Sequence, residues 1–258
     1  MKIKNLLAAT SIAVMSATAS MAAVIDLGFL MDESGSVRSA NYASAMNALA
    51  DALDANIPVN DPTLTYRIGV ISFGSSADTS IPLTTINSQA DLDGLVSAVR
   101  AEATDFANAG STNYNSAFNA LDAMFGDVSG SQASLINMTT DGNNNSGTPS
   151  TAGLRANGWD SLSFEAVGPG VSTGPLSALA FDTNGIGGAP VIANAGLITN
   201  PLTDSFVLTV TDYTQYSPAI NTKIQRTVAP QVPLPAGMPL MIAGLAAFGV
   251  MKRRKKAA

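Results

Sequence analysis

The chain has 258 residues, of which 46% are apolar and 12% are charged, a composition typical of one globular domain with accessory segments. It contains no cysteine and no histidine. These absences exclude disulfide bonds, zinc sites built on Cys or His, and hydrolysis through a Ser-His-Asp or Cys-His arrangement. Any chemistry must therefore rely mainly on carboxylates, hydroxyls and a bound metal.

The charges are distributed unevenly along the chain. Seven of the 13 basic residues lie at the two ends, within residues 2–4 and 252–256, whereas all 19 acidic residues lie between them. The intervening body is therefore acidic, and it lacks the basic face that binding of nucleic acid requires. We expect a domain that attracts cations.

The first 22 residues have the features of a secretory signal peptide. Two lysines precede a mostly apolar stretch over 6–17, and Ser20-Met21-Ala22 forms a small-x-small cleavage site. A buried N-terminal helix is the alternative, but the run is short and lacks polar periodicity. We expect residues 1–22 to direct export, with cleavage after Ala22 or Ala23.

An apolar run begins at Val24 and ends abruptly in Asp-Glu-Ser-Gly-Ser. This pattern predicts a buried strand that brings Asp32, Ser34 and Ser36 to its carboxyl end, where open α/β sheets bind ligands. Alternation would direct Glu33 to the opposite side of the turn, into solvent. The oxygen ligands suit a hard cation such as Mg²⁺, although Asp and Ser are also preferred at a helix N-cap.

Two later stretches carry matching chemistry. Residues 110–112, Gly-Ser-Thr, form a turn that leads into a helical pattern. Residues 135–140 form another apolar strand, which is followed by Asp141 and Gly142. The chain therefore has two strands that end in Asp, with a turn that carries Thr between them in sequence.

Together these residues resemble the metal-ion-dependent adhesion site (MIDAS) of the von Willebrand factor A (vWA) family, in order and roughly in spacing. The resemblance implies that the Ser34 and Ser36 hydroxyls coordinate a divalent ion directly and that Thr112 binds it directly or through water. Asp32 and Asp141 would bind it directly or through ordered waters. Mg²⁺ is the expected ion, with Mn²⁺ and Ca²⁺ as alternatives, and an open position would accept a carboxylate from a partner protein or a sugar acid.

Strand and helix patterns alternate through the body. The predicted strands cover 24–31, 64–73, 81–83, 133–138, 161–167, 191–192 and 206–210. The predicted helices cover 36–55 or 39–55, 89–101, 115–125, 151–157 and 212–227.

This alternation predicts an α/β fold, a doubly wound, mostly parallel sheet with helices on both faces. The vWA resemblance covers residues 24–228 and implies a Rossmann-like sheet with one antiparallel edge strand near residue 81. Residues 181–201, with four Gly and two Pro, are expected to form a long loop over the sheet. This loop either shapes the ligand face or is a peripheral connection.

Several other residues have an expected role. Asp26 lies in the middle of the first strand and is expected to make a structural polar contact, although the sequence does not identify its partner. Trp159 precedes a strand and is more typical of a packing residue than of a binding platform. Asn143, Asn144 and Asn145 follow the second Asp; they either contact a ligand at the rim of the site or serve as turn residues that tolerate left-handed backbone.

The last 27 residues have a three-part layout. A Val-Pro-Leu-Pro-Ala motif at 232–236 begins a stretch of low polarity that runs to 251, and the basic cluster follows at 252–256. The stretch is long enough to span a bilayer, although its prolines keep the front from being helical. The layout resembles the VPLPA variant of bacterial PEP-CTERM sorting signals.

That second resemblance implies that an exosortase-type membrane protease recognises residues 232–258 and cleaves them after transient anchoring. A permanent membrane anchor is the alternative. In either case the basic cluster would stay cytoplasmic, and the body would lie at the cell surface or outside the cell.

The sequence therefore predicts an exported, non-enzymatic vWA protein that captures an acidic protein or polysaccharide through a divalent ion, in adhesion or in an extracellular matrix. One alternative is a structural surface or matrix protein whose ion is purely stabilising. Another is a metal-dependent hydrolase, but two-metal hydrolases generally use several close carboxylates or histidines, and only Asp32 and Asp141 are predicted to converge.

Overall fold

The computed structural model describes residues 22–107 and 109–228. The predicted signal peptide, apart from its last residue, and the predicted sorting signal lie outside these ranges. Within them, none of the helices has both the length and the apolar composition needed to cross a membrane.

Strands and helices alternate along the described chain, as the sequence patterns predict. The strands are β1 (Ala23–Asp32), β2 (Leu64–Phe73), β3 (Ala77–Ile86), β4 (Ala133–Thr140), β5 (Ser161–Val167), β6 (Phe181–Asp182), β7 (Gly185–Ile186), β8 (Val191–Ile192) and β9 (Val207–Val210). The helices are α1 (Arg38–Asn56), α2 (Gln89–Glu102), α3 (Tyr114–Phe125), α4 (Ala152–Ala156), α5 (Thr173–Leu179) and α6 (Tyr216–Val228).

The strands form a single, mostly parallel sheet in the order β3-β2-β1-β4-β5, and the far side of β5 pairs with β6 and β9. The pairs β1–β2, β1–β4, β4–β5 and β5–β9 are parallel, whereas β3 is antiparallel to β2. This confirms the predicted doubly wound sheet and places β1 and β4 side by side at its centre.

The antiparallel part of the sheet is larger than the sequence predicts. β3 spans ten residues, whereas the sequence predicts a strand only over 81–83. Most positions of this edge strand are partly buried or exposed, so it has few apolar side chains from which its length could be predicted. At the other edge, residues 181–201 form three two-residue strands and a short 3-10 helix rather than one continuous loop. The sequence predicts β8 at these bounds, but it does not predict β6 and β7, because two residues are too short to show a period. It also does not predict α5, which has only seven residues.

Both faces of the sheet are covered. α1, α2 and α6 pack on one face, and α3, α4 and α5 pack on the other. Side chains of β1 point alternately to the two faces: Leu27 and Phe29 pack in the core with α1, α2 and α6, and Leu30 packs in the core with α3, α4 and α5. Burial on both faces explains why β1 and β4 appear in the sequence as nearly continuous apolar runs.

α3 packs directly on the backbone of β1 and β2. Gly28 and Gly69 are register partners in these strands. A Cβ atom on Gly28 would lie 2.9 Å from a methyl carbon of Leu121, and one on Gly69 would lie 2.5 Å from the terminal methyl of Met124. The two glycines therefore let α3 approach closely, and this position also sets that of the turn before α3, which carries Thr112.

A buried ion pair connects α6 to the sheet. Lys223 Nζ lies 2.9 Å from Glu165 Oε1, and the two side chains are 1% and 0% exposed. Thr139 of β4 donates to the other carboxylate oxygen at 3.3 Å and shares a 2.9 Å hydrogen bond with the Tyr216 hydroxyl. Burial lowers the pKa of Lys223, and the charge of Glu165 opposes that shift.

We expect Glu165→Gln to lower the free energy of unfolding by about 3–5 kcal/mol, because it leaves the Lys223 ammonium buried without a counter-charge. Adding Lys223→Met should recover much of the loss, since it removes that charge and keeps an unbranched apolar chain. Urea denaturation of both variants measures the effect.

Asp51→Asn is the matched control, because it removes an exposed ion pair with Arg100 that spans 2.7 Å. It should change the free energy of unfolding by less than about 1 kcal/mol. If Glu165→Gln were as mild as this control, the buried pair would not hold α6 to the sheet.

Candidate metal centre

The ends of the two central strands meet at one edge of the sheet. β1 ends at Asp32 and β4 ends at Thr140, which is followed by Asp141. Asp32 Oδ1 accepts a hydrogen bond from the Ser34 backbone N–H at 2.8 Å, and Asp32 Oδ2 accepts one from the Thr140 hydroxyl at 2.5 Å. One carboxylate oxygen is thus fixed by its own turn and the other by the neighbouring strand.

The two serines of the turn connect Asp32 to the second carboxylate. Ser36 Oγ donates to Asp141 Oδ1 at 2.6 Å, and Ser34 Oγ and Ser36 Oγ lie 3.2 Å apart. Ser34 is buried and Ser36 is exposed, so the cluster opens to solvent on the Ser36 side. The Gly35 N–H donates to the Gly110 carbonyl at 3.1 Å, which ties this turn to the one before α3.

The turn before α3 brings the third hydroxyl to the same place. Thr112 is buried, and a Cβ atom on Gly142 would lie 3.0 Å from Thr112 Oγ1 and 3.5 Å from Ser36 Oγ. Both hydroxyls therefore flank Gly142, and a side chain there would crowd them. The Tyr114 hydroxyl donates to the Gly142 carbonyl at 2.7 Å and holds this backbone in place. The five predicted residues thus gather at one edge from three separate segments.

Burial raises the pKa of both carboxyls. The pKa of Asp32 is raised to about 6, mainly by burial, although hydrogen bonds from Thr140 and Ser34 act in the opposite direction. The pKa of Asp141 is also raised by burial, and the bond from Ser36 opposes the shift. Two partly desolvated carboxylates close together favour a bound cation, which would restore the charged forms.

The donor set fits a hard divalent cation. Asp32, Ser34, Ser36, Thr112 and Asp141 offer two carboxylates and three hydroxyls and no nitrogen or sulfur. Across the described ranges, no three Asp, Glu, His or Cys side chains gather as a metal-binding group. Neutral hydroxyls would therefore supply most of the protein ligands, and these five residues would hold the ion.

The expectation that Glu33 points into solvent is wrong. Its side chain is 2% exposed and accepts a hydrogen bond from the Ala107 N–H. The chain between α2 and α3 covers the turn, so strand alternation does not extend past the end of β1.

Two other residues have the structural roles that buried side chains require. Asp26 is paired with Arg67, its register partner in β2, through two hydrogen bonds of 2.6 Å each. Trp159 is buried, and its ring packs edge-on against that of Phe125 with 4.9 Å between the ring centroids. This confirms the packing role predicted for Trp159.

Thr140 and Tyr114 are not among the site residues that the sequence predicts. Both fix the site, since Thr140 donates to Asp32 and Tyr114 donates to the Gly142 carbonyl. A signal for Thr140 was available: it is the last residue of β4 and stands directly before Asp141. A signal for Tyr114 was not, because a Tyr at the start of a helix is not distinctive.

Metal-free protein should lose stability as the pH rises from about 4 to about 7. The folded chain keeps a proton on Asp32 up to a pKa of about 6, whereas the unfolded chain releases it near 3.8. Asp32 alone then contributes a loss of about 3 kcal/mol over this range. Chemical denaturation in chelator at a series of pH values measures the loss. Asp32→Asn, uncharged at position 32 throughout, should show a clearly smaller decline, to which the raised pKa of Asp141 still contributes. Parallel profiles for the two proteins would contradict the assignment.

Known structures share this fold at low identity. Proximal thread matrix protein 1 from the mussel byssus has a TM-score of 0.58 and 18% identity, over 81% of this chain and 49% of that one. The same protein with a zinc-occupied MIDAS motif gives 0.57 and 18%, over 80% and 48%. A von Willebrand factor type A protein from Catenulispora acidiphila gives 0.54 and 14%, over 79% and 42%.

The chain spans about half the length of these structures or less, and at such identities the similarity establishes the fold alone. No curated protein matches the chain. A family model, in contrast, matches residues 26–220, which is more than half of the chain and includes all five candidate ligands. The chain therefore belongs to the von Willebrand factor type A domain family.

Proposed function

We propose that this is an exported vWA protein that binds a divalent cation, with Mg²⁺ as the working ion, and uses it to capture a carboxylate-bearing protein or polysaccharide. Its setting would be adhesion or an extracellular matrix. The observation that carries the proposal is a row of hydrogen-bonded oxygens at the sheet edge. Ser34 Oγ lies 3.2 Å from Ser36 Oγ, which lies 2.6 Å from Asp141 Oδ1.

The chemistry of the ligands supports Mg²⁺ or Mn²⁺. The mussel matrix protein carries zinc in its MIDAS motif, but protein zinc sites usually include nitrogen or sulfur ligands, and this chain has neither His nor Cys. When bound, the ion would supply an electrophilic position for a partner's carboxylate, because the hydroxyl ligands do not neutralise its charge.

A groove borders the loop that follows Asp141, and it offers room for part of a larger ligand. The groove has a volume of about 410 Å³ and reaches the sheet edge through Tyr114, Asn143 and Asn144. Pro175 and Leu179 line its apolar part. A ligand whose carboxylate reaches the ion would have room there for a neighbouring group.

We also propose that the protein acts by binding and not by catalysis. The absence of His removes the usual general base. In the part of the chain that the structure describes, only two carboxylates meet at the site, fewer than two-metal hydrolysis generally requires. Export through the signal peptide, and sorting by an exosortase-type protease, complete the proposal and rest on residues 1–22 and 232–258.

Full-length protein stripped of metal should bind one Mg²⁺ or Mn²⁺ in calorimetry, and Asp32→Ala should abolish that binding. The reason is that the variant removes a carboxylate and also frees the Ser34 N–H and the Thr140 hydroxyl that it fixes. Asp51→Ala is the control for charge, since Asp51 is an exposed acid elsewhere. Equal binding by wild type and Asp32→Ala would exclude this site as the metal centre.

Metal-loaded protein should bind immobilised poly-L-glutamate or polygalacturonate, two carboxylate polymers that represent the protein and sugar classes. A chelator should remove the binding, and Asp32→Ala should lack it, because the partner's carboxylate needs the ion. Retention by neutral dextran, or retention that survives the chelator, would point to contacts that do not use the metal.

The second candidate function is a structural matrix protein with a purely stabilising ion. The observation that favours it is the fold shared with a mussel byssus matrix protein. In that case metal would raise the melting temperature of the wild type, as any ligand of the folded state does, but neither polymer would bind.

A further inference from the structure

The three consecutive asparagines after Asp141 do not serve as left-handed turn residues. Among the described residues other than glycine, only Arg38 has a positive φ. Backbone tolerance therefore does not explain the choice of Asn at these positions. Their side-chain hydrogen bonds do, and each of the three makes a different set.

Asn143 points toward the loop after β5. Its Nδ2 donates to the Gly170 carbonyl at 3.1 Å, and its Oδ1 accepts from the Ser172 N–H at 2.7 Å. Asn144 instead holds the start of α3, because its Oδ1 accepts from the Tyr114 N–H at 2.9 Å. Neither side chain forms a hydrogen bond with Thr112.

Asn145 forms a two-bond clamp on Thr112. The Thr112 N–H donates to Asn145 Oδ1 at 2.9 Å, and the Asn145 N–H donates to the Thr112 carbonyl at 3.0 Å. The clamp uses only the backbone of Thr112 and leaves its Oγ1 beside Gly142 and Ser36. It joins residues 33 apart in sequence, on the two segments that follow β4 and precede α3.

We propose that Asn145 is a positioning residue of the metal centre, which holds the Thr112 hydroxyl in its place beside Gly142 and Ser36. The inference rests on the proposed metal site and adds to it a residue outside the predicted ligands. Thr112 is the one candidate ligand that lies neither at the end of β1 or β4 nor in the turns that directly follow them, so its place depends on a contact between loops.

The chemistry of the clamp accounts for the residue type. The contact needs an acceptor oxygen bonded to Cγ, which Asn and Asp provide and Ala does not. Because Asn145 is exposed, removing its side chain leaves no cavity in a core. Its loss does leave the N–H of the buried Thr112 without its acceptor, so the metal-free protein should melt slightly below wild type, whereas metal affinity should fall strongly.

The test compares full-length wild type with Asn145→Ala, Asn145→Asp and Asn194→Ala by calorimetric titration with Mn²⁺, together with the melting temperature of each metal-free protein. We expect Asn145→Ala to weaken Mn²⁺ binding about 10–100-fold, the usual effect of losing a group that orients a metal ligand. Asn145→Asp keeps the acceptor and should return most of the affinity. Asn194 is the matched control, because it is also exposed and its Oδ1 accepts a backbone N–H, that of Gly196, at 2.8 Å. Asn194→Ala should bind Mn²⁺ as wild type does.

The outcomes are distinguishable. Wild-type affinity in Asn145→Ala would overturn this inference alone and leave the proposed metal site intact. A metal-free Asn145→Ala that melts well below wild type would overturn it too, because Asn145 would then stabilise the fold rather than the site. No Mn²⁺ binding by wild type would overturn both proposals.

Discussion

The Asp32 carboxylate is the contact on which the candidate site depends. One of its oxygens is bonded to the Ser34 N–H of its own turn and the other to the Thr140 hydroxyl at the end of the next strand. This works only because β1 and β4 are adjacent and parallel, so that their carboxyl ends meet. Without that pairing, the serine turn and Asp141 would lie at unrelated places on the surface.

The buried acids of the fold differ in how their charge is balanced. Asp26 and Glu165 are fully buried, and each has a cation of its own, Arg67 and Lys223. None of the ion pairs in the described part of the chain involves Asp32 or Asp141. Hydrogen bonds alone oppose the cost of their burial, so these are the two acids whose charged forms a bound cation would stabilise.

Close packing elsewhere supports the geometry of this edge. α3 packs closely on Gly28 and Gly69, and this contact positions the Thr112 turn at the start of α3. Asn144 and Asn145 hold the same turn from the side, through the Tyr114 and Thr112 amides. In this view the loops around the site are not free to adapt, because their backbone groups are already bonded to one another. A ligand would meet a site whose oxygen atoms are largely in place.

The α/β class and the location of the site at the carboxyl ends of the strands could be predicted from local signals in the sequence. These signals are an apolar run that stops at Asp, a Gly-Ser-Thr turn before a helix, and a strand that is followed by Asp-Gly. It was the resemblance to the vWA family that joined the five residues on these segments into one site. The edges of the sheet were less predictable, because β3 is largely polar and β6 and β7 have only two residues each.

Partners that are distant in sequence could not be predicted from it and are visible only in the folded chain. Arg67 neutralises Asp26 from 41 residues away, and Asn145 clamps Thr112 from 33 residues away. The burial of Glu33 likewise depends on the chain between α2 and α3, which no strand pattern describes. The physical reason is the same in each case: periodicity reports which side of an element is buried, but hydrogen-bond and charge partners depend on which elements the fold places side by side.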